Sequence, residues 1–165
     1  MKKTQLNWGF LGAAKIGRAL APAIAASKYA RAYAVASRSL DKAETYAREN
    51  GFERSYGSYR ALLKDSNVDV IYNPLPNHLH CEWTIRALEA GKHVLCEKPM
   101  ALNVAECRRM IAAAKRNRRL LMEAFMYRLH PQTLKLQELI QNGAIGEVRV
   151  IRAGFGFSLN ESAKN

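Results

Sequence analysis

Leu6-Asn7-Trp8-Gly9-Phe10-Leu11-Gly12-Ala13-Ala14-Lys15-Ile16-Gly17 decides how this chain folds. Leu6 to Leu11 reads as a strand. Lys15 to Ser27 is rich in alanine, with Ile16, Leu20 and Ile24 at helical spacing, so a helix follows the glycine turn. Arg31 to Ser37, carrying Tyr33 and Val35, reads as a second strand. Gly12-x-x-x-x-Gly17 matches the dinucleotide fingerprint, with Ala14 where the second glycine usually sits. That chemistry needs a tight turn, close approach of backbone to a pyrophosphate, and a helix N-terminus aimed at it. Ala14 adds one methyl group facing the phosphates. Gly12, Ala13, Ala14, Lys15, Ile16 and Gly17 are therefore candidate cofactor contacts.

The alternation continues outward. Leu40 to Glu49 is a helix stopped by Asn50-Gly51, and a short strand surrounds Arg54 to Tyr56. Ser58 caps a helix over Tyr59 to Lys64. Val68 to Tyr72 is apolar apart from Asp69, as a central parallel strand should be. Asn73-Pro74-Leu75-Pro76 breaks it, and Asn77 is positioned to cap a helix ending at Gly91. His93 to Cys96 is the next strand, Asn103 caps a helix through Asn117, and Leu120 to Phe125 is a further strand. Pro131 opens a helix that closes at Gly143. Strands alternating with helices specify an α/β fold, a doubly wound parallel sheet of the Rossmann type. A boundary is expected near Gly143 to Glu147, giving a dinucleotide-binding domain over 1–145 and a remainder over 146–165. In that remainder Glu147 to Phe157 alternates as a lone strand, with Phe155 and Phe157 on one side. A lone strand cannot bury its apolar face, so it should pair with this sheet, pair with a second copy in a homodimer, or be the leftover first strand of a second domain. The polar tail from Asn160 should fray.

Arg38 follows the second strand, 21 residues past Gly17. Sites for NAD commonly place Asp or Glu there to hold the ribose 2′-hydroxyl. Here Ser37 and Arg38 occupy the position. No carboxylate repels a 2′-phosphate, and a guanidinium can bind one. The expected cofactor is NADP, with NAD less favoured; the bland reading is a surface arginine after a strand.

The 165 residues are 48% apolar and 24% charged, an ordinary globular composition. The chain carries 26 basic and 14 acidic side chains, a formal charge of +12. Such a field attracts polyanions. The basic residues are scattered over expected helix faces and no base-reading module is visible, so no nucleic-acid partner is expected. No apolar stretch approaches a membrane span, and Met1-Lys2-Lys3-Thr4 is followed by no apolar signal region, so no membrane association is expected. Cys81, Cys96 and Cys107 form no disulfide framework, which fits a reducing cytoplasm. His78, His80 and Cys81 form a compact trio, but only His93 and His130 remain to extend it, so no metal site is expected. Tyr127 could meet a substrate or pack beside Phe125.

Five motifs occur in order: Gly12 to Gly17; Ala36-Ser37-Arg38; Pro74-Leu75-Pro76-Asn77-His78-Leu79-His80; Ala90-Gly91-Lys92-His93-Val94-Leu95-Cys96-Glu97-Lys98-Pro99; and Glu123-Ala124-Phe125-Met126-Tyr127-Arg128. Together they resemble the N-terminal half of the glucose–fructose oxidoreductase/inositol dehydrogenase (Gfo/Idh/MocA) family, near its sugar and dihydrodiol dehydrogenases. The resemblance implies that Lys98 bonds the reacting hydroxyl or carbonyl and assists proton transfer. Glu97 would contact the nicotinamide ribose, and Pro99 would turn the chain, through a cis bond in one form. Leu75, Pro76, Asn77 and His80 would line the nicotinamide side, and Arg128 would lie near the carboxamide. Family members continue past Gly146-Glu147-Val148 into a second α/β domain that completes the catalytic site, binds a sugar or polyol and usually forms the oligomer interface. The resemblance thus implies a nicotinamide-dependent hydride-transfer enzyme, of which this chain holds the cofactor half and is catalytically incomplete by itself. A non-catalytic nucleotide sensor or scaffold is the alternative.

Overall fold

The structure is a computed structural model describing residues 4–156. Six strands form one sheet: β1 (Leu6–Leu11), β2 (Ala30–Ala36), β3 (Arg54–Tyr56), β4 (Val70–Asn73), β5 (His93–Cys96) and β6 (Leu121–Glu123). Their order is β3-β2-β1-β4-β5-β6, and every neighbouring pair is parallel. This is the doubly wound order in which the chain reverses its direction of travel between β1 and β4. The connecting helices are α1 (Gly17–Ala26), α2 (Leu40–Asn50), α3 (Tyr59–Lys64), α4 (Asn77–Glu89) and α5 (Val104–Asn117).

Both faces of the sheet are covered, and the strand sequences show how. Side chains alternate across a strand. Phe10, Val35 and Tyr72 point to one face, where they pack with Ile24 of α1, Tyr46 of α2 and Phe52. Leu11, Ala34, Ala36 and Ile71 point to the other, against Leu62, Leu88 and Met110. Phe10 is central to the first core: its ring centroid lies 4.8 Å from those of both Phe52 and Tyr72. One buried cation interrupts this apolar packing. Lys92 is 5% exposed, and its Nζ donates to the carbonyl oxygens of Asp65 and Val68, each at 2.7 Å.

Capping explains most helix boundaries. Ser39 Oγ accepts from Lys42 N, Ser58 Oγ from Ala61 N, and Asn103 Oδ1 from Glu106 N at 2.9 Å. Glu106 in turn accepts from Leu102 N at 3.0 Å, so the start of α5 is tied twice. Asn103→Ala should therefore cost about 1 kcal/mol, read as a lower urea midpoint at unchanged slope. Two starts differ from the sequence reading. Residues Lys15 and Ile16 form a turn before α1 begins at Gly17, because the phosphate-loop backbone is still closing on itself there. Asn77 is the first residue of α4 rather than its cap; Pro76 occupies the cap position and makes no side-chain bond.

The chain divides into two units, Met1–Phe125 and Met126–Asn165. In the second unit a 3-10 turn (Met126–Leu129) precedes α6 (Pro131–Gln141), whose first turn is capped by His130. The strand expected over 147–157 is not formed: residues 147–156 pair with no strand, and Phe157 and the tail lie outside the described residues. Apolar alternation alone cannot make a strand where no ladder partner supplies backbone hydrogen bonds, and Phe155 is 92% exposed. No helix among the described residues is long and apolar enough to cross a membrane.

Candidate nucleotide-binding site

Because all six strands are parallel, their C-terminal ends share one edge of the sheet. The loops after β1, β2, β4 and β5 leave from that edge. Open α/β sheets bind ligands there, at the point where strand order reverses. The glycine turn and Glu97-Lys98-Pro99 thus stand on the same edge, on β1 and β5, with β4 between them.

The loop after β1 is built for close approach. Gly12 has φ +96°, a conformation L side chains rarely adopt, and its N–H donates to Ala36 O at 2.7 Å. A Cβ on Gly12 would come within 3.3 Å of Leu75 Cδ2, so this loop abuts the one after β4. Ala13, Lys15 and Ile16 are exposed and Ala14 is half-buried. Gly17 closes the loop, donating to Ala14 O at 3.1 Å. From α2, Tyr46 Oη donates to the same carbonyl at 3.2 Å. Burial pushes the Tyr46 hydroxyl pKa up, and Arg18 opposes the shift, so the phenol stays protonated as a donor. No acidic residue stands in the first turn of α1 to repel an anion.

At the end of β2 the two candidates play different parts. Ser37 is nearly buried; its N–H donates to Tyr56 O at 3.0 Å and its Oγ accepts from Ser39 N at 3.4 Å, so it shapes the turn. Arg38 is exposed. Its charge is felt by the Tyr59 hydroxyl, whose pKa burial raises and Arg38 lowers. Tyr59 rests edge-on against Trp83, with ring centroids 5.0 Å apart.

After β4, Asn73 organises the loop, a role the sequence reading did not give it. Its side chain is fully buried, donates to His80 O and Thr84 Oγ1 at 3.3 and 3.1 Å, and accepts from Leu75 N. Leu75 is buried, while Pro76 and Asn77 are exposed. His80 is 0% exposed; Nδ1 lies 2.8 Å from Pro99 O and Nε2 lies 2.6 Å from Leu75 O. A carbonyl oxygen only accepts, so the ring nitrogen that carries the proton donates to the carbonyl beside it, and the tautomer decides which.

After β5, Glu97 is held from three sides. Its N–H donates to Asn73 O at 3.0 Å, and its carboxylate accepts from Tyr72 Oη at 2.7 Å and from Lys98 N at 3.2 Å. Burial, and then the Glu97 carboxylate, push the Tyr72 hydroxyl pKa far up, which keeps it a donor. The Lys98–Pro99 bond is cis, and Met100 N donates to Glu123 Oε1 at 2.8 Å. Lys98 is exposed. Neighbouring Cys96 is inert: burial raises its thiol to about 12. Arg128 lies in the second unit, exposed on the 3-10 turn. Among the described residues no group of three or more His, Cys, Asp or Glu could hold a metal.

Residues 6–125 match the model of an oxidoreductase family with an NAD-binding Rossmann fold, Gfo/Idh/MocA. D-xylose 1-dehydrogenase (NADP(+)) 2 of Haloferax volcanii is 41% identical over 159 residues, covering 96% of this chain and 48% of that protein. Among solved structures, the 3-ketoreductase KijD10 of Actinomadura kijaniata in complex with NADP superposes with a TM-score of 0.79 at 40% identity, covering 88% of this chain and 46% of that one. Levoglucosan dehydrogenase in complex with NADH gives 0.81 at 35% identity, covering 86% and 40%. The chain spans about half the length of the curated relatives it matches, 48% for the xylose enzyme. With its strand order, its glycine turn and the match over 6–125, this chain belongs to the Gfo/Idh/MocA oxidoreductase family and carries that family's NAD-binding Rossmann domain.

Proposed function

We propose that this chain binds NADP(H) across the β1/β4 switch point and serves as the cofactor domain of an oxidoreductase acting on a sugar or polyol. The observation that carries the reading is the exposed Arg38 at the end of β2, on the same edge as the Gly12 loop and Lys98. Residues 1–145 are the dinucleotide-binding domain, and 146–165 begin a second, substrate-binding one. Names among the relatives support the cofactor class: the xylose enzyme is named for NADP and KijD10 was solved with it, while the levoglucosan enzyme was solved with NADH.

The residues fit such a group. Gly12 to Gly17 give the pyrophosphate a backbone cradle at the N-terminus of α1. Arg38 pairs with the 2′-phosphate as a charge-assisted donor. Leu75, Pro76 and Asn77 flank the nicotinamide, and Glu97, fixed by Tyr72, accepts from the nicotinamide ribose. Bound cofactor supplies the hydride acceptor or donor. Lys98 donates a hydrogen bond to the substrate oxygen and moves its proton at Nζ as the carbonyl or alcohol forms.

Calorimetric titration with NADPH and NADH tests this. A charged contact to the 2′-phosphate should make NADPH bind about tenfold or more tightly than NADH. Equal or tighter NADH binding overturns the NADP preference, and flat traces for both overturn the reading as a whole.

A further inference from the structure

His80 is fully buried, yet neither ring nitrogen is spent inside its own helix. It reaches out of α4 at both ends: Nε2 lies 2.6 Å from Leu75 O in the loop after β4, and Nδ1 lies 2.8 Å from Pro99 O in the turn after β5. These loops carry the two groups of residues assigned above to the nicotinamide: Leu75, Pro76 and Asn77 on one, Glu97 and Lys98 on the other. Neither loop is pinned at these carbonyls by sheet pairing, since β4 ends at Asn73 and β5 at Cys96.

We propose that His80 is a positioning residue that sets the spacing between the β4 loop and the Lys98 turn, and so shapes the nicotinamide end of the cofactor site without touching the cofactor. The inference rests on the NADP(H) reading above. It goes beyond it by separating the two ends of the site: the Gly12 cradle and Arg38 stand on β1 and β2, which His80 does not contact through any hydrogen bond. Other bonds tie the residues flanking Pro99 to the ends of the neighbouring strands, Glu97 N to Asn73 O of β4 and Met100 N to Glu123 Oε1 of β6. His80 alone joins Pro99 to the loop after β4 among the hydrogen bonds of the described residues. A reacting geometry displaced by about 1 Å loses much of its efficiency, so a buried tie of this kind acts at a distance.

The test compares two ligands on one protein. Adenosine 2′,5′-bisphosphate carries the 2′-phosphate end without nicotinamide; NADPH carries both ends. His80→Leu keeps an apolar filling and removes both ring nitrogens. His80→Gln keeps an amide nitrogen that can donate. For variants that melt cooperatively, His80→Leu should weaken NADPH about tenfold while leaving the bisphosphate within about twofold of the parent. His80→Gln should recover part of the NADPH loss. Equal losses for both ligands mean a general structural role and overturn the proposal, as does no loss for either. Should neither variant fold, the parent protein with 15N-labelled histidine decides. The His80 ring N–H signals should move on adding NADPH and stay in place with the bisphosphate; signals that move alike with both, or with neither, overturn the proposal. A parent protein that binds neither ligand overturns the NADP(H) reading itself, a result visible before any variant is made.

Discussion

Arg38→Glu should lower NADPH affinity by about a hundredfold while leaving NADH affinity nearly unchanged. Two effects add. The substitution removes a charge-assisted hydrogen bond to the 2′-phosphate and puts a carboxylate where it repels that dianion and accepts from a ribose 2′-hydroxyl. The position is suited to so large a change because Arg38 is exposed and Ser37 beside it is already occupied by Ser39 N. The turn should therefore survive the exchange. Salt screens charges at a water-exposed site within about 10 Å at 0.1 M, so the parent's NADPH affinity should fall with added salt more steeply than the variant's. Calorimetry on parent and variant, with both cofactors at two salt concentrations, reads every affinity compared here. A variant that loses NADH and NADPH equally would show that Arg38 supports the loop and does not select the phosphate.

The second large effect is on folding. Gly17→Val should destabilise the domain by about 3 kcal/mol, a fall of about 10 °C in Tm, and abolish binding of either cofactor. A Cβ at Gly17 would sit 2.6 Å from Tyr46 Oη and 3.2 Å from Phe10 Cδ2 and Cε2. Neither neighbour can yield cheaply. Phe10 is fully buried between Phe52 and Tyr72, and Tyr46 is 2% exposed. Moving Tyr46 also breaks its bond to Ala14 O, which shapes the phosphate loop. Stability and binding thus fall together, and a thermal melt beside a cofactor titration checks both. A variant that melts like the parent would refute the packing argument.

The fold was legible where local signals agree. The apolar runs at β1, β2, β4 and β5, the caps Ser58 and Asn103, and the break at Asn73-Pro74 all carry their own chemistry in sequence. The placement of Gly12 and Lys98 on one edge followed, because parallel strands leave no other arrangement. Contacts that cross between elements left no such trace. His80 meets Pro99 across 19 residues and Tyr72 meets Glu97 across 25, and nothing in either sequence neighbourhood distinguishes a bonded ring from a packed one. Asn73 read as a strand breaker, although its buried amide serves three partners. The alternation from Glu147 misled for the opposite reason: alternation is a local pattern, and a strand requires a paired ladder, which residues 147–156 do not form.

Lys92 bears on anyone who would reformulate this protein. A charge of +12 invites adhesion to polyanionic contaminants, and the usual remedy replaces lysines with acidic residues. By composition Lys92 is one lysine among many. Its ammonium, however, holds together the chain reversal at Asp65 and Val68, beneath the strand that leads to Lys98. A charge-reduction scheme can draw freely on exposed bases such as Arg108 and Lys115, but must leave Lys92 in place.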